Sequence, residues 1–379
     1  MFSPLLSGFT HITPDTPLSK IDLNWTEVEL PEGMRTKHVH RLHPYMGKFV
    51  PQMVEIFLRK FNPRKVCDPF CGSGTTLVES NALGIPSVGA DISAFNCLLS
   101  RVKTQKYNIT KLEVELKKTL YETRKRNDNP AINPKTDSAY LAQWFHPNAL
   151  RELLIYREFL EGNRYADAMK VILSRAARSS RLTTHFDLDF PKKPQTTPYF
   201  CHKHRRECKP TSNALEFLSR YTHDTIKRIR EFSTMRTSAS VEVICGDSRK
   251  INFPKIGAII TSPPYLGLIN YHEQHRYAYE LLGLDSKDDL EIGAARKGKS
   301  KPAREKYFGD MTMVFENVRS AIDSGGVAVV VVHDKDNIYE EIAEDSGYHV
   351  DARIERIVDR RTGRRSKEFL EEVFIWRPD

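Results

Sequence analysis

Apolar residues recur at helical spacing after Val50. Met53, Val54, Phe57, Leu58 and Phe61 share one face and Pro51 suits the first turn, so the pattern predicts a helix there. The period then shortens. Residues 65–68 read as a short strand running into Gly72-Ser73-Gly74, and Leu77, Val78, Ala82 and Leu83 carry the next helix, closed by Gly84. Residues 88–92 are predicted as a second strand and 95–103 as a second helix. Beyond about residue 106 the alternation stops. Residues 106–236 are charged and helical in pattern, with a Pro- and His-rich stretch over 185–210. Strand patterns return at 241–245 and 256–260. Residues 327–332 are apolar at every position, which suits a parallel strand covered on both faces. Residues 353–358 and 372–376 are expected to form a closing hairpin. Strand–helix alternation on both sides of one interruption predicts an α/β fold, a doubly wound, mostly parallel sheet with a large, mainly helical insertion. The expected organisation is an irregular arm over 1–39, one sheet-bearing domain formed by 40–105 and 237–379, and an inserted module over 106–236.

Composition narrows the class. At 379 residues, 40% hydrophobic and 28% charged, the chain has enough apolar residues for a sizeable core and is not a disordered one. No apolar run approaches the roughly 18 residues that span a membrane. The N-terminus lacks a charged region before its apolar residues, so neither a secretory signal nor a lipid anchor is expected and the chain reads as cytoplasmic. Six cysteines in such a chain do not suggest a disulfide framework. Cys201-His202-Lys203-His204-Arg205-Arg206-Glu207-Cys208 packs four potential zinc ligands into eight residues. It lacks a second Cys-x-x-Cys or His-x-x-x-His partner, so no metal is assigned. The net charge of +9 favours a polyanionic partner, and the excess is local. Residues 164–209 hold 11 basic and 4 acidic side chains, and residues 294–308 hold 6 and 1.

A glycine turn between a strand and a helix lets backbone N–H groups approach a ligand. Gly72-Ser73-Gly74 has that placement, without the Gly-Lys-[Ser/Thr] of a triphosphate-binding loop. Asp91 ends the following strand, where a carboxylate accepts from ribose hydroxyls or caps the next helix. Thr261-Ser262-Pro263-Pro264-Tyr265 follows the apolar residues Ala258, Ile259 and Ile260, at the carboxyl end of a buried strand. Two prolines stiffen that turn and remove two N–H donors, leaving acceptors and an aromatic ring suited to a planar base with an exocyclic amine.

Asp68-Pro69-Phe70-Cys71-Gly72-Ser73-Gly74-Thr75-Thr76 closely resembles the cofactor motif of the S-adenosylmethionine-dependent amino methyltransferases of DNA. The segment His43-Pro44-Tyr45-Met46-Gly47-Lys48-Phe49-Val50-Pro51 is similar to the one preceding it in one branch of that family. The resemblance implies the class I S-adenosylmethionine-dependent methyltransferase fold. It places Tyr45, Lys48 and Phe49 on the methionine side of the cofactor, and Asp68, Pro69, Phe70, Gly72, Ser73, Gly74, Thr75, Asp91 and Ile92 around it. Gly246-Asp247-Ser248 resembles the element in which an Asp contacts the adenine amino group, bringing in Asp247 and Ser248. Ser262, Pro263, Pro264 and Tyr265 resemble the Ser-Pro-Pro-Tyr of the N4-cytosine enzymes. Methylation at carbon 5 uses a Cys nucleophile, usually in a Pro-Cys pair, and the chain has no Pro-Cys.

The expected activity is methyl transfer to the N4 amine of cytosine in double-stranded DNA, within a restriction–modification system or as an orphan modification. A cognate restriction endonuclease is a candidate partner and a membrane is not. The alternatives are an N6-adenine DNA enzyme, an RNA amino methyltransferase, or a catalytically silent nucleic-acid-binding protein. In such enzymes a long insertion commonly reads the target, which marks 106–236 as the candidate recognition module. His272 and Glu273, opening a predicted helix, are candidate neighbours of the flipped base.

Overall fold

A computed structural model of the chain describes residues 8–47, 49–185, 187–188, 191–358 and 369–379. The first elements are a short helix α1 (Glu32–Arg35) and α2 (Pro51–Phe61), followed by β1 (Val66–Asp68), α3 (Thr75–Ala82), β2 (Ser87–Asp91) and α4 (Ala94–Thr104). The interruption holds α5 (Ile109–Asn127), α6 (Ala139–Trp144), α7 (Pro147–Glu158) and α8 (Ala166–Ser180), a small hairpin of β3 (Tyr199–Cys201) and β4 (Arg206–Cys208), and α9 (Leu215–Ser233). Alternation resumes with β5 (Val241–Cys245), β6 (Ile256–Thr261), α10 (Tyr271–Gln274), α11 (Arg276–Leu282), α12 (Lys301–Arg319), β7 (Ile322–Val332) and α13 (Tyr339–Asp345). The closing hairpin is β8 (Tyr348–Val358) with β9 (Phe369–Pro378).

Seven strands form one sheet in the order β5-β2-β1-β6-β7-β9-β8. The ladders from β5 to β7 are parallel, and β9 runs antiparallel to both its neighbours. This is the doubly wound, mostly parallel sheet that the alternation predicted. The unbroken apolar run of β7 is explained by burial on both faces. Val327, Val329 and Val331 pack with α2 (Met53, Phe57) on one side. Ala328, Val330 and Val332 pack with α12 and α13 (Met311, Phe315, Ile342) on the other. Strand β9 alternates likewise, Val373 and Ile375 against Phe374 and Trp376.

The arm is irregular over residues 8–30 apart from one 3-10 turn, yet Phe9, Ile12, Ile21 and Leu23 are buried against the α2 side of the sheet. Helices α5, α7, α8 and α9 share one apolar cluster with α4 and α11, so the interruption is continuous with the sheet-bearing part through a common core. Among the described residues, no helix is long and apolar enough to cross a membrane.

Candidate active site

The sheet order reverses at β1, with β2 and β5 to one side and β6 and β7 to the other. At such a point the loops leaving the strands diverge and open a crevice at their carboxyl ends. Here β1 ends on Asp68, β2 on Asp91, β5 on Cys245 just before Gly246-Asp247-Ser248, and β6 on Thr261 just before Ser262. All four ends open onto one cavity, which with the solvent-open space at its mouth holds about 860 Å³. Tyr45, Phe49, Asp68, Pro69, Phe70, Gly72, Ser73, Thr75, Asp91, Ile92, Asp247, Ser248, Ser262 and Pro264 line it. Gly74, Pro263 and Tyr265 stand behind the wall, and Lys48 lies outside the described residues.

The glycine turn is held from behind. Ser100 donates to the Gly72 carbonyl (3.0 Å), Lys103 Nζ donates to the Ser73 carbonyl (2.5 Å), and the Gly74 N–H closes the turn on Cys71 (2.7 Å). Gly72 has φ +49°, and a Cβ there would stand 2.9 Å from the Tyr45 hydroxyl. Gly74 has φ +81°, and a Cβ would stand 2.7 Å from Ser100 Oγ and 3.1 Å from Ser100 Cα. Gly74 thus sets the path into α3 without touching the cavity. Gly74→Ala is expected to cost about 1–2 kcal/mol for its left-handed backbone alone, read as a lowered thermal midpoint.

Three carboxylates line the cavity with this turn. Asp91 accepts from the Gly72 N–H through Oδ2 (2.9 Å), and through Oδ1 from the Ser93 N–H (2.8 Å) and Asn96 Nδ2 (3.1 Å). The capping of α4 falls to Ser93, whose hydroxyl accepts from the Asn96 N–H, so Asp91 is free of that duty. Burial pushes the Asp91 carboxyl up to about 6 despite those hydrogen bonds. Asp68 is likewise pushed up to about 6 by burial, against the Thr261 hydroxyl (2.7 Å) and the Phe70 N–H (3.2 Å) that donate to it. For Asp247, burial raises the carboxyl, but the Arg249 guanidinium beside it (2.7 Å) more than offsets this and holds it below the usual range. Ser248 donates to the Pro69 carbonyl (2.6 Å), tying the β5 loop to the β1 loop.

At the end of β6, the Thr261–Asp68 bond joins the two motifs across neighbouring strands. Pro263 is buried. The Pro264 carbonyl accepts from the Tyr307 hydroxyl (2.9 Å), which also meets the Tyr339 hydroxyl (2.6 Å). Tyr265 does not reach the cavity wall. Its ring lies near His333 (centroids 6.4 Å apart), and its hydroxyl donates to Glu371 on β9 (3.4 Å).

Several wall residues carried no signal in the sequence. The Tyr45 ring stacks on Tyr271 (5.8 Å, 20°) and on His275 (5.9 Å, 13°), and burial pushes His275 down to about 4, so the stack is neutral near pH 7. Leu290, Glu291 and Ile292 come from the loop after α11. Glu291 accepts from the Tyr271 N–H (2.7 Å) and pairs with His272 (3.2 Å), which places His272 in the wall. Glu273 points to solvent beside Arg276 and takes no part. Lys297, in the second basic segment, donates to the carbonyls of Asp289 (2.9 Å) and Glu291 (2.6 Å) and so clips this wall.

No family model matches the chain. The type II methyltransferase M.MjaII of Methanocaldococcus jannaschii is 37% identical, over 94% of this chain and 83% of that protein. The type II methyltransferase M.BsoBI of Geobacillus stearothermophilus is 24% identical, over 73% of this chain and 60% of that one. Among solved structures, the rRNA methyltransferase aviRa of Streptomyces viridochromogenes superposes with a TM-score of 0.37 at 10% identity, covering 93% of this chain and 96% of that one. On its likeness to M.MjaII over 94% of this chain and 83% of that one, this protein belongs to the type II methyltransferases, enzymes that use S-adenosylmethionine.

Proposed function

We propose that the chain methylates the exocyclic N4 amine of cytosine in double-stranded DNA, as the modification enzyme of a restriction–modification system or an orphan. The observation that carries the reading is the Thr261-Ser262-Pro263-Pro264 turn. It brings Ser262 into the cavity that the Gly72–Gly74 turn and Asp91 also build.

The residues fit the cofactor. Asp91 offers a carboxylate at the end of β2, three of whose roughly four acceptor sites are filled by protein donors. The site left open would hold a ribose hydroxyl. Asp247 and Ser248 would hold the adenine side, and Tyr45 and Phe49 the methionine side. Bound S-adenosylmethionine supplies an electrophilic methyl group. An amine conjugated to a base is a poor nucleophile because its lone pair is delocalised into the ring. Of the acceptors on this turn, the Ser262 hydroxyl lines the cavity, and it is the proposed acceptor for a hydrogen of the amine. An acceptor there draws the nitrogen from planar toward pyramidal and localises its lone pair. No covalent enzyme intermediate is required. A base reaches this depth only when rotated out of the duplex. In this reading 40–105 and 237–379 are the catalytic domain and 106–236 contribute target recognition.

Incubation with DNA and labelled cofactor, followed by mass spectrometry of the nucleosides, should yield N4-methylcytosine. N6-methyladenine as the product would overturn the assignment. The basic segments supply the phosphate contacts in the same reading, but Arg296, Arg304 and Lys306 are paired with Asp288, Asp336 and Asp310 and Lys297 is committed to carbonyls, so the charge of the second segment open to phosphate lies at Lys299 and at Lys301, whose pairing with Glu305 is long (4.0 Å) and exposed. Neutralising both should reduce the slope of log affinity against log salt by about 2. A filter-binding titration with an unchanged slope would return these lysines to plain solvated surface.

A further inference from the structure

The β3–β4 hairpin has three residues in each strand, and so short a ribbon is marginal in water without help. Residues 202–207 are all exposed, yet Cys201 and Cys208 at its base are buried. His204 Nδ1 stands 3.6 Å from Cys201 Sγ and 3.5 Å from Cys208 Sγ. His185, from the loop after α8, brings its Nδ1 to 3.5 Å from Cys201 Sγ. The ligand atoms of all four residues lie within 4.8 Å of one another. A tetrahedral zinc ion, with bonds of about 2.3 Å to sulfur and 2.0–2.1 Å to nitrogen, separates sulfur from nitrogen by about 3.6 Å. The three measured sulfur–nitrogen distances match that edge.

We infer that His185, Cys201, His204 and Cys208 form a structural zinc site that pins the β3–β4 hairpin to His185. Of the four candidates in the sequence segment, one is the wrong histidine. His202 turns outward, edge-on to Phe200 (5.3 Å), and His185, sixteen positions before Cys201, takes its place. Two thiols and two imidazoles suit zinc over the hard divalent cations. Both thiols lose their protons as the Zn–S bonds form, so two protons leave per ion and the occupied site is neutral. The Tyr199 hydroxyl lies 3.0 Å from the same His185 nitrogen. When that lone pair goes to the metal, the hydroxyl keeps the bond it accepts from the His185 backbone N–H (3.1 Å). The pinned hairpin then holds Lys203, Arg205 and Arg206 on one exposed tip.

The full-length protein from a zinc-supplemented culture, dialysed against metal-free buffer, should carry one zinc per chain by elemental analysis. Reconstitution with cobalt should give the intense visible absorption of a tetrahedral site together with a thiolate-to-cobalt charge-transfer band. Cys208→Ser and His185→Ala should lose the metal, whereas His202→Ala should keep it. Zinc below about a tenth of an equivalent, even after incubation with zinc chloride, would overturn the assignment. So would full retention in Cys208→Ser. If the Ser variant is insoluble, the wild-type cobalt spectrum decides, and a weak octahedral spectrum without the charge-transfer band would sink the site.

Discussion

In Ser262→Ala, kcat is expected to fall roughly 10²- to 10³-fold, the cost of one hydrogen bond that strengthens in the transition state. The Ser262 hydroxyl sits on a turn that has little freedom to compensate. Pro263 behind it is buried, Thr261 before it is bonded to Asp68, and Pro264 after it is held by Tyr307. A water recruited into the gap would have to find the same direction without those restraints. Cofactor affinity should be nearly unchanged, because the proposed ribose contact is made at Asp91 on the far side of β1. Single-turnover transfer of a tritiated methyl group separates the two effects. A wild-type rate would remove Ser262 from the chemistry.

Asp91→Ala is expected to weaken cofactor binding by about 1–3 kcal/mol, roughly 5- to 150-fold, with turnover at saturation much less affected. Part of the loss comes from the Gly72 N–H, which would lack its acceptor and let the turn relax. Asp91→Asn keeps one acceptor oxygen and should fall between. The same carboxyl gives a pH signature. Its value near 6 in the free protein is raised by burial, so the ionised acceptor is fully present above about pH 7 and is lost as the pH falls through 6. Affinity should be flat above that range and weaken by up to about tenfold per unit below it. Calorimetric titrations showing unchanged affinity in the Ala variant, or none of this pH dependence, would release Asp91 from the ribose.

The sheet was legible because its strands obey local rules. Apolar runs at 256–260 and 327–332 and the glycine turn after β1 each announce themselves within a dozen residues. The strand-end residues that line the cavity were legible for the same reason, since Asp68 and Asp91 end strands and Asp247 and Ser262 follow theirs within two residues. What escaped depends on distant pieces meeting. Glu291 reaches the wall only because the loop after α11 folds back onto Tyr271, and Lys297 leaves the set of free cations only because it clips that loop. Tyr265 keeps its motif position but is turned toward Glu371 by the closing hairpin, more than a hundred residues later. His185 meets Cys201 from sixteen positions away, a distance that no spacing rule encodes.

Strand β1 lies in the middle of the sheet, yet its partner on one side is made long after its partner on the other. Strand β2 follows within about twenty residues, whereas the Thr261–Asp68 bond joins positions 193 apart. At a ribosomal pace of roughly 5–20 residues per second, about 10–40 s pass between the synthesis of the two. During that interval one edge of β1 has no neighbour, which in a longer strand would invite pairing with another chain. Three residues of regular strand offer little to pair with. The nascent chain therefore carries the glycine turn for tens of seconds before it has the serine turn opposite, and the enzyme is born inactive until its second half arrives.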